Sequence, residues 1–145
     1  MKSFRLQTVL DYRQRLEDEA FKAVIRCREE RNRLSAHRDV EQTELVRLCQ
    51  ECAEAKQNRV HLPEVMLYED CIVFKKQQLL LCEQKIQKQE AILKQRENEL
   101  VQARQQRRML EILKEKRLAA EQQRELHQER KILDEVAVLN FGGRQ

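Results

Sequence analysis

Residues 72–100 read IVFKKQQLLLCEQKIQKQEAILKQRENEL, and within them Ile72, Leu79, Ile86, Leu93 and Leu100 fall one at every seventh position. Seven residues are close to two helical turns, so a row with that spacing lies along one face of an α-helix, the seam of a helix packed lengthwise on another. Charged and amide residues dominate the gaps, as expected of the solvated faces of such a helix.

Composition extends the reading to the whole chain. Ala, Glu, Lys, Leu and Arg make up just over half of the 145 residues, the signature of a coiled coil or long helix when a heptad repeat accompanies it. Trp is absent, aromatics are 4 %, and there are only two Gly and one Pro. Sheets, tight turns and a globular core all lack their usual residues. Although 37 % of the residues are charged, the periodic placement of the apolar ones argues against disorder. The 29 basic and 25 acidic residues nearly cancel, leaving +4, so the chain is a mixed-charge polyampholyte with no requirement for a nucleic-acid partner. The opening MKSFRLQTVLDYRQRLEDEA has no apolar core of signal-peptide length, and no stretch approaches the ~18 apolar residues of a membrane span. A cytoplasmic location is expected. Cys27, Cys49, Cys52, Cys71 and Cys82 form an odd set spread along helical sequence, which suits reduced thiols better than a disulfide framework.

A first helix is expected over about residues 3–60, with Ser3 as N-cap. Its stripe is broken: Leu6, Leu10, Ala20, Val24, Cys27, Leu34, Leu45, Leu48 and Cys52, with Arg13, Glu17, Arg31, Arg38 and Glu41 at the remaining seam positions. His61-Leu62-Pro63-Glu64 holds the only proline. Proline lacks an N–H and drives its predecessor out of the α region, so a turn is expected over about 61–64, with a kink in one long helix as the alternative. A second helix follows over about 64–138, stopped by Asn140-Phe141-Gly142-Gly143, which leaves a flexible tail over 140–145. The fold class is therefore all-α: a single long antiparallel two-helix coiled-coil hairpin over residues 1–145, with an overhanging C-terminal helix. The second seam reads cleanly through Leu100 and slips in phase around Arg107 to Leu113.

Centring the turn on Pro63 and Glu64 sets Leu48 against Leu79, Leu45 against Cys82, Leu34 against Leu93, Cys27 against Leu100 and Val24 against Ala103. Two seams chosen independently then come into register, and Glu41 against Ile86 is the poor pair. Leu6 falls opposite Glu121, so the second helix should outrun the first by roughly four turns. Leu126, Leu133, Val136 and Ala137, with Ile132 and Leu139 beside them, make a helical stripe with nothing in the chain to bury it. Fraying, a homodimer, or docking to another protein are the three uses open to such a face.

Catalysis finds no support. His37, His61 and His127 are far apart along the helices, no Gly-rich phosphate loop exists, and a helical hairpin offers no pocket to desolvate a reacting group. No cofactor is expected. Cys49-x-x-Cys52 with Cys71 and Cys82 is the one candidate metal set, but its second pair is ten residues apart, and small apolar seam residues are the favoured reading. Arg104, Arg107 and Arg108, with Lys114, Lys116 and Arg117 after them, could form a basic arm for nucleic acid. Glu111 and Glu115 interleave with them and no aromatic lies nearby to stack on a base. A generic coiled-coil scaffold or dimer is the other alternative.

The two ends carry a resemblance. Phe4, Leu6, Val9, Leu10, Arg13, Glu17 and Ala20 at the start, and Leu113, Lys114, Arg117, Glu129, Lys131 and Leu133-Asp134-Glu135-Val136-Ala137 at the close, resemble the FliJ family of the bacterial flagellar type III export apparatus. The resemblance implies a non-enzymatic stalk, similar to the stalk subunit of rotary ATP synthases. Such a stalk enters the hexameric export ATPase, promotes its assembly and activity, contacts the membrane export gate, and engages export chaperones. It implies a peripheral place at the cytoplasmic face of the cell membrane and a part in flagellum biogenesis, hence in chemotaxis. It also implies an ATPase-binding set of Leu6, Leu10, Arg13, Leu126, Leu133, Asp134, Val136 and Ala137, and a gate contact at Phe74.

Overall fold

The computed structural model describes residues 5–59 and 61–142; Ser3 and Gly143 lie outside them. Two helices account for nearly all of these residues: α1, Gln7–Gln57, and α2, Leu62–Gly142. They pack against each other as an all-α helical hairpin, and the kinked single helix is ruled out by the reversal between them. The chain divides into two compact units, Asp18–Val101 and Met1–Glu17 with Gln102–Gln145.

Within Asp18–Val101, inward positions alternate by three and four residues on both helices, the spacing of a coiled-coil seam. Val24, Leu93 and Leu100 form a buried cluster with Ala20 and Cys27 packed on it. Cys52, Ala55, Val65 and Ile86 are buried too, while Leu34, Leu45, Leu48, Ile72 and Leu79 are half-buried. The register, however, is not the one expected. Lys75 pairs with Glu41, Lys56 with Glu69, Arg28 with Glu97 and Arg38 with Glu83, which centres the hairpin near residue 60. Leu48 is thus level with Ile72 and not Leu79, Leu45 with Lys75 and not Cys82, Leu34 with Ile86 and not Leu93. Cys27 is level with Leu93 and not Leu100, and Val24 with Arg96 and not Ala103. Each partner is displaced by one heptad.

The reason lies in the turn. Asn58 N–H still bonds the Glu54 carbonyl at 2.9 Å, and Arg59 then takes φ 51°, the left-handed conformation that ends many helices. The carbonyl of His61 accepts from the N–H of Glu64 (3.0 Å) and of Val65 (3.3 Å), opening α2. Pro63 therefore sits inside the first turn of α2, where its missing N–H costs nothing because the first donors of a helix have no partner. The reversal falls between Gln57 and Leu62, earlier than the expected 61–64, and α1 ends at Gln57, short of the expected residue 60.

In the unit of Met1–Glu17 and Gln102–Gln145, the seam keeps its phase. Counting on in sevens from Leu100 gives Arg107 and Lys114, both half-buried, with Ala103 before them and Leu110 between them on the same face. The expected slip is absent. What changes is the chemistry: Met109, Ile112 and Leu113, whose positions suggested the slip, are exposed, and charged side chains occupy the seam. On α1, Leu10 is buried, while Leu6, Arg13 and Glu17 are half-buried. Lys114 Nζ donates to Gln7 Oε1 at 2.7 Å, so Gln7 is level with Lys114, and α2 outruns the described part of α1 from about residue 115, a heptad sooner than expected. α2 also continues past residue 138, through Asn140 and Phe141 to Gly142. Neither Asn140 nor Gly142 takes the positive φ that would end the helix there.

Candidate functional site

Along the last turns of α2 the apolar side chains are uncovered. All of residues 122–142 are exposed, including Leu126, Ile132, Leu133, Val136 and Leu139. At 100° per residue these five share one face, whereas Asp134 lies off it and Ala137 at its edge. Continuing the seam in sevens beyond Lys114 gives Glu121, Gln128 and Glu135, and beyond Leu110 it gives Arg117, Arg124, Lys131 and Val138. The seam face of these turns is therefore polar but for Val138, and the apolar stripe is turned from it by roughly 100°. A simple extension of the coil would leave that stripe uncovered.

The eight expected ATPase-contact residues fall into two groups. Leu126, Leu133, Asp134, Val136 and Ala137 stand on the unpaired turns. Leu6, Leu10 and Arg13 are seam residues: Leu10 is 3 % exposed, and Arg13 Nη1 donates to Gln106 Oε1 at 2.6 Å. The groups are not level, since Gln7 meets Lys114. In the other unit Phe74 is 59 % exposed and stands on the outer face of α2 with Met66, Leu67, Val73, Leu80 and Leu81, three pairs seven residues apart. The period of seven marks that row in the sequence, beside the seam and not on it.

The basic cluster is neutralised locally. Glu17 receives Arg104 at 3.4 Å and Arg107. Glu111 receives Arg107 at 2.6 Å and Arg108 at 3.1 Å, and Arg108 also reaches Glu115 at 3.5 Å. Hydrogen bonds from Arg107 and then Arg108 hold the Glu111 carboxyl below its ordinary value, and those to Glu111 and Glu17 raise Arg107. Glutamates thus claim the three arginines a phosphate would need. All five cysteines are free thiols, with Cys52 buried, Cys27 and Cys82 half-buried, and Cys49 and Cys71 exposed. Among the described residues, no three His, Cys, Asp or Glu gather into a metal-holding group, and no helix is long and apolar enough to cross a membrane.

The pattern of the whole chain, residues 1–145, matches the family described as Flagellar FliJ protein. The chain belongs to the FliJ family. Membership makes it a component of flagellar type III export, within a family of non-enzymatic export proteins. Among solved structures, that of a putative YscO homolog, CT670 from Chlamydia trachomatis, is similar at 22 % identity, with 96 % of this chain and 94 % of that one covered and a TM-score of 0.50. At that identity the likeness speaks for the helical fold. No curated protein sequence matches the chain.

Proposed function

We propose that this FliJ-family chain is the coiled-coil stalk of the flagellar export machinery, docking the last turns of α2 into the hexameric export ATPase. The observation that carries the reading is the stripe of Leu126, Ile132, Leu133, Val136 and Leu139, exposed to solvent and turned away from the seam. Its geometry suits helix-in-groove or helix-in-pore docking, where apolar anchors recur at i, i+3, i+4 and i+7. Leu133, Val136, Leu126 and Ala137 make the contact and Asp134 borders it. Leu6, Leu10 and Arg13 act from the seam, holding the neighbouring turns of α1 on α2. Docking promotes assembly and activity of the ATPase. The outer row around Phe74 meets the membrane export gate, which places the chain at the cytoplasmic face of the membrane, and export chaperones are further partners.

The test is the double variant Leu133→Asp, Val136→Asp. It should keep its helicity by circular dichroism yet lose at least tenfold in affinity for the cognate export ATPase, along with the stimulation of ATP hydrolysis. Unchanged binding and stimulation by an intact helix would remove the docking reading. A nucleic-acid arm is the weaker reading, because its arginines are already paired within the helix and to Glu17.

A further inference from the structure

A seam with a period of seven fits its partner again after a slide of seven residues. The aliphatic rows of α1 and α2 in Asp18–Val101 therefore admit two registers: the one observed, and one displaced by a heptad, roughly 10 Å along the helices. Leu48 finds Ile72 in the first and Leu79 in the second, and Leu34 finds Ile86 or Leu93. Packing alone does not choose.

Nor does the turn favour what is observed. The present reversal places Arg59, a residue with a Cβ, at φ 51°, a conformation disfavoured for side-chain-bearing residues. The displaced register would move the reversal toward Pro63, a residue suited to turns.

Inward charges do distinguish them: the displaced register would set Arg31 level with Arg96, and it would break one cluster that the observed register builds. Lys75 occupies an inward position, and its Nζ donates to Glu41 Oε2 and Glu44 Oε2, both at 2.5 Å. The Lys75 and Glu41 side chains keep only 21 % and 16 % of their exposure, so both are largely withdrawn from water. In the displaced register Lys75 would stand level with Cys52, exchanging Glu44 for Glu51 and losing Glu41 to Leu48. Glu41 would stand level with Ile86 and lose its lysine, and withdrawing such a charge from water without its partner is disfavoured. Lys56 would also exchange Glu69 for Lys76, although exposed pairs of this kind count for little.

We propose that Lys75, with Glu41 and Glu44, is the register lock of the hairpin, holding it in one of two registers that its aliphatic seams fit alike. A lone polar residue at a core position is the best-attested way for a coiled coil to set its alignment. The lock acts by penalising the wrong alignment. Without it, the two arms can slide past each other by a heptad.

Native Cys52 serves as the reporter, being level with Tyr68 in the observed register and with position 75 in the displaced one. In Tyr68→Cys, mild oxidation is expected to join Cys52 to position 68 in nearly all molecules. Adding Lys75→Leu should lower that yield measurably, as part of the population moves to the displaced register. Adding Glu41→Gln and Glu44→Gln instead, which leaves the lysine without carboxylates, should do the same and guards against an effect of leucine alone. In Lys75→Cys by itself, peptide mapping should find a bond from Cys52 to position 75, a pair too far apart in the locked register to join. Circular dichroism at native helicity qualifies each variant. A Cys52 to position 68 yield unmoved by either set of substitutions, with no Cys52 to position 75 bond, would overturn the lock.

Discussion

The two units run the same helical spacing with different chemistry. In Asp18–Val101 the seam is closed by Val24, Leu93 and Leu100 in a buried cluster. In Met1–Glu17 with Gln102–Gln145, the equivalent positions hold Arg13, Glu17, Arg107 and Lys114, with Leu10 buried. Spacing decides that helices pair, and the side chains at the seam decide how firmly. Apolar burial is indifferent to salt, whereas half-buried ion pairs are weakened by it and return little net energy. The cooperative strength of the molecule should therefore reside in the aliphatic unit.

The largest effect that would break this contrast comes from paired truncations. Leu93→Ala should destabilise the protein by about 2–4 kcal/mol in thermal or urea unfolding, because the cavity opens in the buried cluster. Leu10→Ala should cost about half as much, since a helix end can open locally without unfolding the rest. Equal losses would mean that the two seams contribute alike.

Salt sharpens the comparison with a smaller effect. Raising sodium chloride from about 0.05 to 1 M shortens the screening length from more than 10 Å to about 3 Å. Amide exchange over residues 7–17 should quicken several-fold, while that over residues 20–34 stays nearly constant. A uniform response along α1, read by mass spectrometry, would break it.

Acid gives the smallest effect. Hydrogen bonds from Lys75 to Glu44, and from Arg107 to Glu111, lower both carboxyls from the ordinary 4.5. A depressed carboxyl stabilises above its unfolded value and loses that contribution as the pH falls through its folded value. Stability should thus be level near neutrality and decline only below about pH 4.5. Lys75, raised from 10.5, has the opposite sense: its contribution is complete below that value and fades only in stronger alkali. Unfolding midpoints across the acid range would check this, and Glu44→Gln should flatten part of the decline.

Much of the fold is legible in the sequence. The α1 seam with its polar interruptions at Arg13, Glu17, Arg31, Arg38 and Glu41 reads from spacing alone, as does the α2 row from Ile72 to Leu100. The register does not, because a repeat of seven hides any displacement of seven. Pro63 points to the wrong turn residue, since proline fits the first turn of a helix and the reversal falls on Arg59, which carries no such mark. The supposed phase slip came from following apolar residues: Arg107 and Lys114 keep the seam in phase while Ile112 and Leu113 look out to water. The exposed face of the last turns was legible because the two arms differ in length, though the heptad error in register placed its start too late. That the stripe departs from the seam face becomes visible only once the phase is known.

The uncovered stripe on α2 has a consequence for the lifetime of the chain. An apolar face presented to water is the kind of surface that proteases and quality-control chaperones engage, and that drives self-association as concentration rises. A helix held by nothing on that side also opens more readily than one packed along its length. The protein is therefore safest when assembled, and surplus copies are the ones most exposed to removal. The leucines proposed to dock would, by the same exposure, keep supply matched to demand.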